Sequence, residues 1–363
     1  MAETNFQPDK AIHPGKTLQE TLDVLGMSQI DLAQRTELTT KTINEIIQGK
    51  NPITSETAMK LANVFGMDPN FWSNLQKNYD AQIAKLREDE HLKEESEYLI
   101  KFKCYKKLEE LGFVPKVSGK KEKVKNLLNF FGISSLDLVC NVQQVAFRKH
   151  EQKKLEEESL AAWLRCGELE ASKIDTAPFD EKKIQNSLQK LRGLTLEKAE
   201  AFESKLINEC ASFGVAVVFI PYFKNTYVCG ATRWINPEKA MIQLSLKGGH
   251  SDIFWFTFFH ELGHLLKHGK KGRFIEFEKN KIANIEEEQA NKFASDVLIP
   301  PVEYARFKET RIFNDDTIKK FAQKINVSAG IIAGRLAHDY GSGKAYRNFE
   351  HLRSKIKFRD KST

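Results

Sequence analysis

His260-Glu261-Leu262-Gly263-His264 sets two imidazoles four residues apart with a carboxylate beside the first. In a helix, positions i and i+4 lie on one face a turn apart, so the two rings can bind one metal ion together. Glu261 is then angled toward the space in front of that ion, where a carboxylate can act as a base toward water. The flanking residues, Ile253 to Phe256, Phe258, Phe259, Leu262, Leu265 and Leu266, make the helix apolar nearly all round, so burial is expected. A buried His-Glu-His cluster without partners is costly, and a metal supplies the partner. The competing reading is a chance match among satisfied core histidines; composition produces this pattern in about one or two chains of this length in a hundred.

A catalytic site needs a third protein ligand. NIEEEQANKFASDVLIPP, some twenty residues on, reads as a helix ending at Pro300-Pro301. Three adjacent glutamates compete in it, and helical phase separates them. Glu287 shares a face with Ala290, Asn291 and Ala294, and the alanines let that face approach another helix closely. Glu286 lines up with Phe293 and Val297 on a core stripe, and Glu288 with Lys292 and Ser295 on a solvent face. Glu287 is the preferred ligand and Glu288 the second choice. Asn291, one turn on, is placed to orient a ligand from behind. Zinc suits this donor set, one per chain, with manganese as the alternative. The expected chemistry is peptide hydrolysis. Zinc would lower the pKa of bound water to near ~7, and Glu261 would carry the proton from water to the leaving amine. The group that stabilises the oxyanion is left open among His250, Arg233, His268 and Tyr304.

Three short β-branched or alternating runs precede the motif, GVAVVFIPYF, TYVCGATRWI and KAMIQLSL, and they read as three strands of a small sheet. Residues 239–246 are expected at its edge, where a substrate strand could be added. The rest of the 363-residue chain is helical in pattern, so the fold class is mostly α with a small sheet, α+β. In the first part, Leu18, Leu22 and Leu25 recur at helical spacing before Gly26, and Ser28 with Asp31 forms a capping-box-like pair. Ile43, Ile46 and Ile47 mark one face of a further helix, and two more helices follow to make five. The middle is basic: residues 101–154 carry thirteen Lys/Arg against five Asp/Glu, a net of +8. EKVKNLLNFFGISSLDLV reads as helical, and VPKVSGKKEK at 114–123 as a turn-rich linker open to proteases. The last twenty residues, with seven basic and two acidic side chains, net +5, read as a basic tail. Residues 1–85 are by contrast slightly acidic, eight Lys/Arg against ten Asp/Glu, a net of −2.

Boundaries are therefore expected at 10–85, 86–205, 206–340 and 341–363. No apolar run approaches the ~20 residues of a spanning helix, and the N-terminus lacks a signal-peptide pattern. Five scattered cysteines read as reduced thiols, so the expected location is cytoplasmic, with no membrane contact.

HELGHLLKHG, followed by Glu287 to Pro300 in the pattern E-x-x-A-N-x-F-A-x-x-x-L-I-P, resembles the ImmA/IrrE family of metallopeptidases. The resemblance covers roughly residues 210–305 and takes in the strand segments. It implies a zincin-like fold, His260, His264 and Glu287 as zinc ligands, Glu261 as base, and a repressor protein as substrate. HPGKTLQETL, SQIDLAQRT, TTKTINEIIQGKNPIT and FGMDPNFWSNLQKNYD, at about 10–85, resemble the HigA-like, XRE-type helix-turn-helix domains of antitoxins and phage repressors. That resemblance implies operator DNA as a ligand, a homodimer, and a repressor or toxin protein as partner. The helix from Thr39 would be the recognition helix. On it Thr39, Thr40, Lys41 and Asn44 are candidates for base edges, and Gln48 and Lys50 for phosphates. A module for docking protein rather than DNA is the competing reading, and the acidic balance is what argues for it.

Overall fold

The computed structural model describes residues 11–142, 155–245, 249–269, 274–277, 285–340 and 349–356. Two compact units divide the chain, Met1–Glu97 and Tyr98–Thr363. The segment 86–205 is thus shared between them. Residues 143–154 of the basic middle and most of the basic tail lie outside the described residues.

The described residues of the first unit form five helices: α1 (Pro14–Leu25), α2 (Gln29–Thr36), α3 (Thr40–Ile47), α4 (Ser55–Phe65) and α5 (Pro69–Glu95). Local chemistry sets their ends. Ser28 and Asp31 cap α2 reciprocally, Thr39 and Thr54 cap α3 and α4, and Asp68 caps α5 ahead of Pro69. Leu18, Leu22, Leu32, Ile43, Ile46, Leu61 and Trp72 form the core between them. Gly15 lets α1 touch the end of α3, since a Cβ there would stand 1.9 Å from the carbonyl oxygen of Ile46. The turn from α2 to α3 passes through Glu37 in the left-handed region, at φ 55°.

The second unit begins with α6 (Tyr105–Glu110), α7 (Lys120–Phe131) and α8 (Val139–Val142). The helix expected through FFGISSLDLV breaks at Gly132, whose φ of 69° ends α7. The linker expected at 114–123 is not loose either. Val114 is buried, the Val117 N–H donates to Glu109, and residues from Lys120 onward are helical. Next come α9 (Glu157–Ser172), α10 (Glu181–Gly193) and α11 (Ala199–Ala211).

Four strands then form one sheet: β1 (Val215–Phe219), β2 (Val228–Asn236), β3 (Lys239–Leu244) and β4 (Phe274–Phe277), in the order β1-β3-β2-β4. Only the β1–β3 pair is parallel. Two expectations change here. The sheet has a fourth strand, β4, after the motif helix. Residues 239–244 are not at the edge, because β3 pairs with β1 on one side and β2 on the other; the edges are β1 and β4. The motif helix α12 (Ser251–Lys267) packs against β2 and β3, with Phe254, Trp255, Phe258, Phe259, Leu262 and Leu265 buried. Its partner is α13 (Ile285–Leu298), and α14 (Pro301–Glu309), α15 (Asp315–Lys324) and α16 (Ala329–Tyr340) complete the unit. On the other side, α9 is anchored to the sheet by Trp163, whose indole N–H donates to the Ile220 carbonyl, and by Gln243, which donates to the Trp163 carbonyl at 2.7 Å.

Candidate metal centre

One turn of α12 and the first turn of α13 bring three donor atoms together. His260 Nε2 and His264 Nε2 are 2.9 Å apart. Glu287 Oε2 lies 3.3 Å from the first and 3.7 Å from the second. Donors bound tetrahedrally to zinc at 2.0–2.1 Å stand about 3.3 Å from one another. The donor spacing therefore fits a single small ion. Among the described residues, these three are the one group of His, Cys, Asp or Glu converging in this way.

Small residues allow the approach of the two helices. A Cβ on Gly263 would meet Phe293 at 3.0 Å and the backbone of Ala290 at 3.3 Å, and Ala290 and Ala294 are fully buried. Of the other two glutamates, Glu288 is exposed, and Glu286 offers its backbone carbonyl to His268 Nε2 at 3.0 Å. Asn291 accepts from His260 Nδ1 at 2.9 Å. A proton on Nδ1 leaves the Nε2 lone pair facing the cluster.

The electrostatics agree with a ligand set. Burial, aided by the neighbouring His260 and His268 rings, lowers the pKa of His264 against the opposing pull of the Glu287 carboxylate, which favours a neutral imidazole. Burial pushes the Glu287 carboxyl up, but its close approach to the His260 and His264 rings outweighs this and holds it well below the usual range. Two imidazole nitrogens and a carboxylate are a donor set that zinc accepts.

Glu261 lies on a neighbouring side of α12, toward the sheet. It is fully buried, and the Thr232 hydroxyl donates to its Oε2 at 2.5 Å. Gly230 on β2 makes the space, since a Cβ there would come within 2.6 Å of Glu261 Oε1. Neither Gly230 nor Thr232 stands out in the sequence reading. The available signals were a glycine inside a strand, which marks close approach, and a polar residue in an apolar run. A cavity of about 630 Å³ opens beside the centre, between α12, α13 and α16, with Phe256, Thr257, Asn291, Ile299 and Ile331 among its lining.

The four candidates for oxyanion stabilisation are each engaged elsewhere. Arg233 pairs with Glu168, and Tyr304 donates to Asp339 at 2.9 Å. His250, the residue before α12, has its Nε2 3.8 Å from Glu350, and His268 meets the Glu286 carbonyl.

In the first unit, the candidate DNA contacts gather on α3 and its ends. Thr39 is the N-cap, its hydroxyl accepting from the Thr42 N–H at 3.1 Å. Thr40 and Lys41 are exposed, with Lys41 3.8 Å from Glu45. Asn44 accepts from Gln48 at 3.2 Å, and Gln48 and Lys50 are exposed.

Both units match known families. The model of the IrrE N-terminal-like domain matches residues 210–337, and a helix-turn-helix model matches residues 20–72. Virulence-associated protein I of Dichelobacter nodosus is 40% identical over 76 residues, 21% of this chain and 70% of that protein. An Escherichia coli K12 protein named as the uncharacterized HTH-type transcriptional regulator YddM is 36% identical over 72 residues, 20% of this chain and 77% of its own length. Among solved structures, a HigA-family antidote protein from Coxiella burnetii is 37% identical, covering 23% of this chain and 94% of that one, with a TM-score of 0.23. PA4674 of Pseudomonas aeruginosa, solved with its operator DNA, is 32% identical over 21% of this chain and 82% of its own, with a TM-score of 0.20. The chain belongs to the XRE-type helix-turn-helix regulators through its first unit, and its second carries a metallopeptidase-family domain of the IrrE type. Among the described residues, no helix is long and apolar enough to cross a membrane.

Proposed function

We propose that this regulator binds operator DNA as a homodimer and hydrolyses a partner protein, a repressor or toxin, at a zinc centre in its second unit. The observation that carries the proteolytic reading is the convergence of His260, His264 and Glu287 with Glu261 buried beside them. Bound there, zinc would supply Lewis acidity toward water and toward the scissile carbonyl; manganese is the alternative ion. Asn291 fixes the tautomer of His260. Glu261 acts as the base: it takes a proton as the water oxygen adds to the carbonyl carbon, then delivers it to the nitrogen as the C–N bond breaks. Thr232 donates to the Glu261 carboxylate and holds it in place for both transfers.

On the DNA side, α3 is the recognition helix. Thr40, Lys41 and Asn44 are assigned to base edges and Gln48 and Lys50 to phosphates, with Thr39 fixing the helix start. The cytoplasm is the compartment this function needs.

One observation favours a second reading, in which the metal is structural and nothing is cut. His260, Glu261 and His264 are each no more than 1% exposed. Glu261→Gln separates the two readings, because it keeps size and hydrogen bonding but removes the base. The proteolytic reading expects intact-mass spectrometry to show cleavage of the repressor or toxin encoded beside this gene by wild type with zinc, and none by the variant, both holding metal. Equal inertness of the two proteins, with operator binding retained in both, would establish the structural reading.

A further inference from the structure

Duplex binding draws much of its affinity from neutralised phosphates, yet the first 85 residues carry a net charge of −2. Compensating charge lies immediately beyond the first unit. Residues 98–131 hold nine lysines against three glutamates, a net of +6.

These lysines stand on a packed platform. Phe102 meets Phe131 with ring centres 6.0 Å apart, and Phe113 meets Phe130 at 6.1 Å. Tyr105 is the hub: its hydroxyl donates to the Pro115 carbonyl at 3.3 Å and accepts from Asn126 at 3.1 Å, and Lys123 Nζ lies 5.2 Å from its ring centre. Around that hub Lys106 follows Tyr105 on α6, Lys116 follows Pro115, and Lys120 opens α7 one turn ahead of Lys123. Lys106, Lys116 and Lys120 are exposed and make no ion pair among the described residues. The three glutamates are occupied within the segment. Glu109 accepts from the Val117 N–H at 3.3 Å, Glu110 pairs with Lys107 at 3.1 Å, and the Glu122 carboxylate folds back over Gly119.

We propose that this lysine platform is a sequence-independent phosphate-binding surface, by which the second unit adds contacts to the duplex that the first unit binds. The inference rests on the reading of the first unit as a DNA binder. Duplex DNA is favoured over an acidic protein for a reason of connectivity. Lys101 lies six residues past the end of α5 at Glu95. Once the first unit is on DNA, the tether holds the platform near phosphates at a millimolar effective concentration. Lysines serve here as point charges, which neutralise phosphates without reading sequence.

The test uses the full chain and a fluorescein-labelled 30-base-pair duplex of mixed sequence, titrated across a series of salt concentrations. Each phosphate contact contributes about −0.9 to the slope of log affinity against log salt. Replacing Lys106, Lys116 and Lys120 by Gln together is expected to make the slope shallower by roughly 2 to 3 and to weaken binding on the order of ten-fold at low salt. The matching triple change to Arg is expected to restore both. A slope unchanged in the Gln variant, with wild-type binding intact, overturns the platform while leaving the regulator reading in place. No salt-dependent binding of duplex by wild type overturns both. Competition by poly-glutamate as effective as by duplex of equal charge would reassign the surface to an acidic protein and overturn the proposal.

Discussion

At the scale of single residues, the centre divides into parts that are local in sequence and parts that are not. His260, Glu261 and His264 are legible because i and i+4 on one helix must share a face. Glu287 is legible from phase, since the alanines at 290 and 294 mark the side of α13 that can approach closely. Thr232 and Gly230 are not legible in this way: Thr232 reaches Glu261 across 29 residues, and only the packing of β2 on α12 brings them together. Asn291 gives the sharpest prediction at this scale. Its side chain holds the Nδ1 proton of His260. Asn291→Ala is expected to lower metal affinity roughly 10- to 100-fold, as measured by competition with a chelator of known affinity. An affinity equal to wild type would show that His260 is oriented by packing alone.

At the scale of elements, backbone conformation and close approach decide what each substitution does. Gly15 stands against the Ile46 carbonyl, where a Cβ would come within 1.9 Å of backbone that cannot move aside. Gly15→Ala is expected to destabilise the first unit by about 1–3 kcal/mol through overpacking. Glu37 sits at φ 55° in the turn between α2 and α3, a region that costs a side-chain-bearing residue roughly 1 kcal/mol. Glu37→Gly is expected to stabilise the same unit by about that amount. Urea unfolding of the full chain, followed by tryptophan fluorescence, would read both; shifts of the same sign would contradict the packing described. Elements were unequally legible for related reasons. Caps such as Ser28–Asp31 are set within four residues and were read directly. Strand order is set by pairings distant in sequence, so the interior place of β3 and the addition of β4 had no local signal. Gly132 did carry a signal, a glycine closing an apolar helix, and it outweighed the helical pattern continuing beyond it.

At the scale of the whole molecule, a helix-turn-helix unit with little positive charge is joined to a unit that carries both a lysine-rich segment and a candidate metal site. Such an arrangement makes sense for a regulator that stays at its operator and removes another protein there. The interaction with DNA would then set where proteolysis happens, and the metal centre would set whether it happens. The protease-open linker expected at residues 114–123 is instead anchored by Val114, by Val117 and by the start of α7. The proteolytic reading depends on the cluster of His260, His264 and Glu287 holding an ion. The most direct measurement is metal content by plasma mass spectrometry on the purified full chain and its variants. About one zinc or manganese per chain is predicted in wild type and in Glu261→Gln, with near-complete loss in His264→Ala and Glu287→Ala while Glu288→Ala retains it. Stoichiometric metal in His264→Ala, or a wild type that takes up none from zinc-containing buffer, would contradict it.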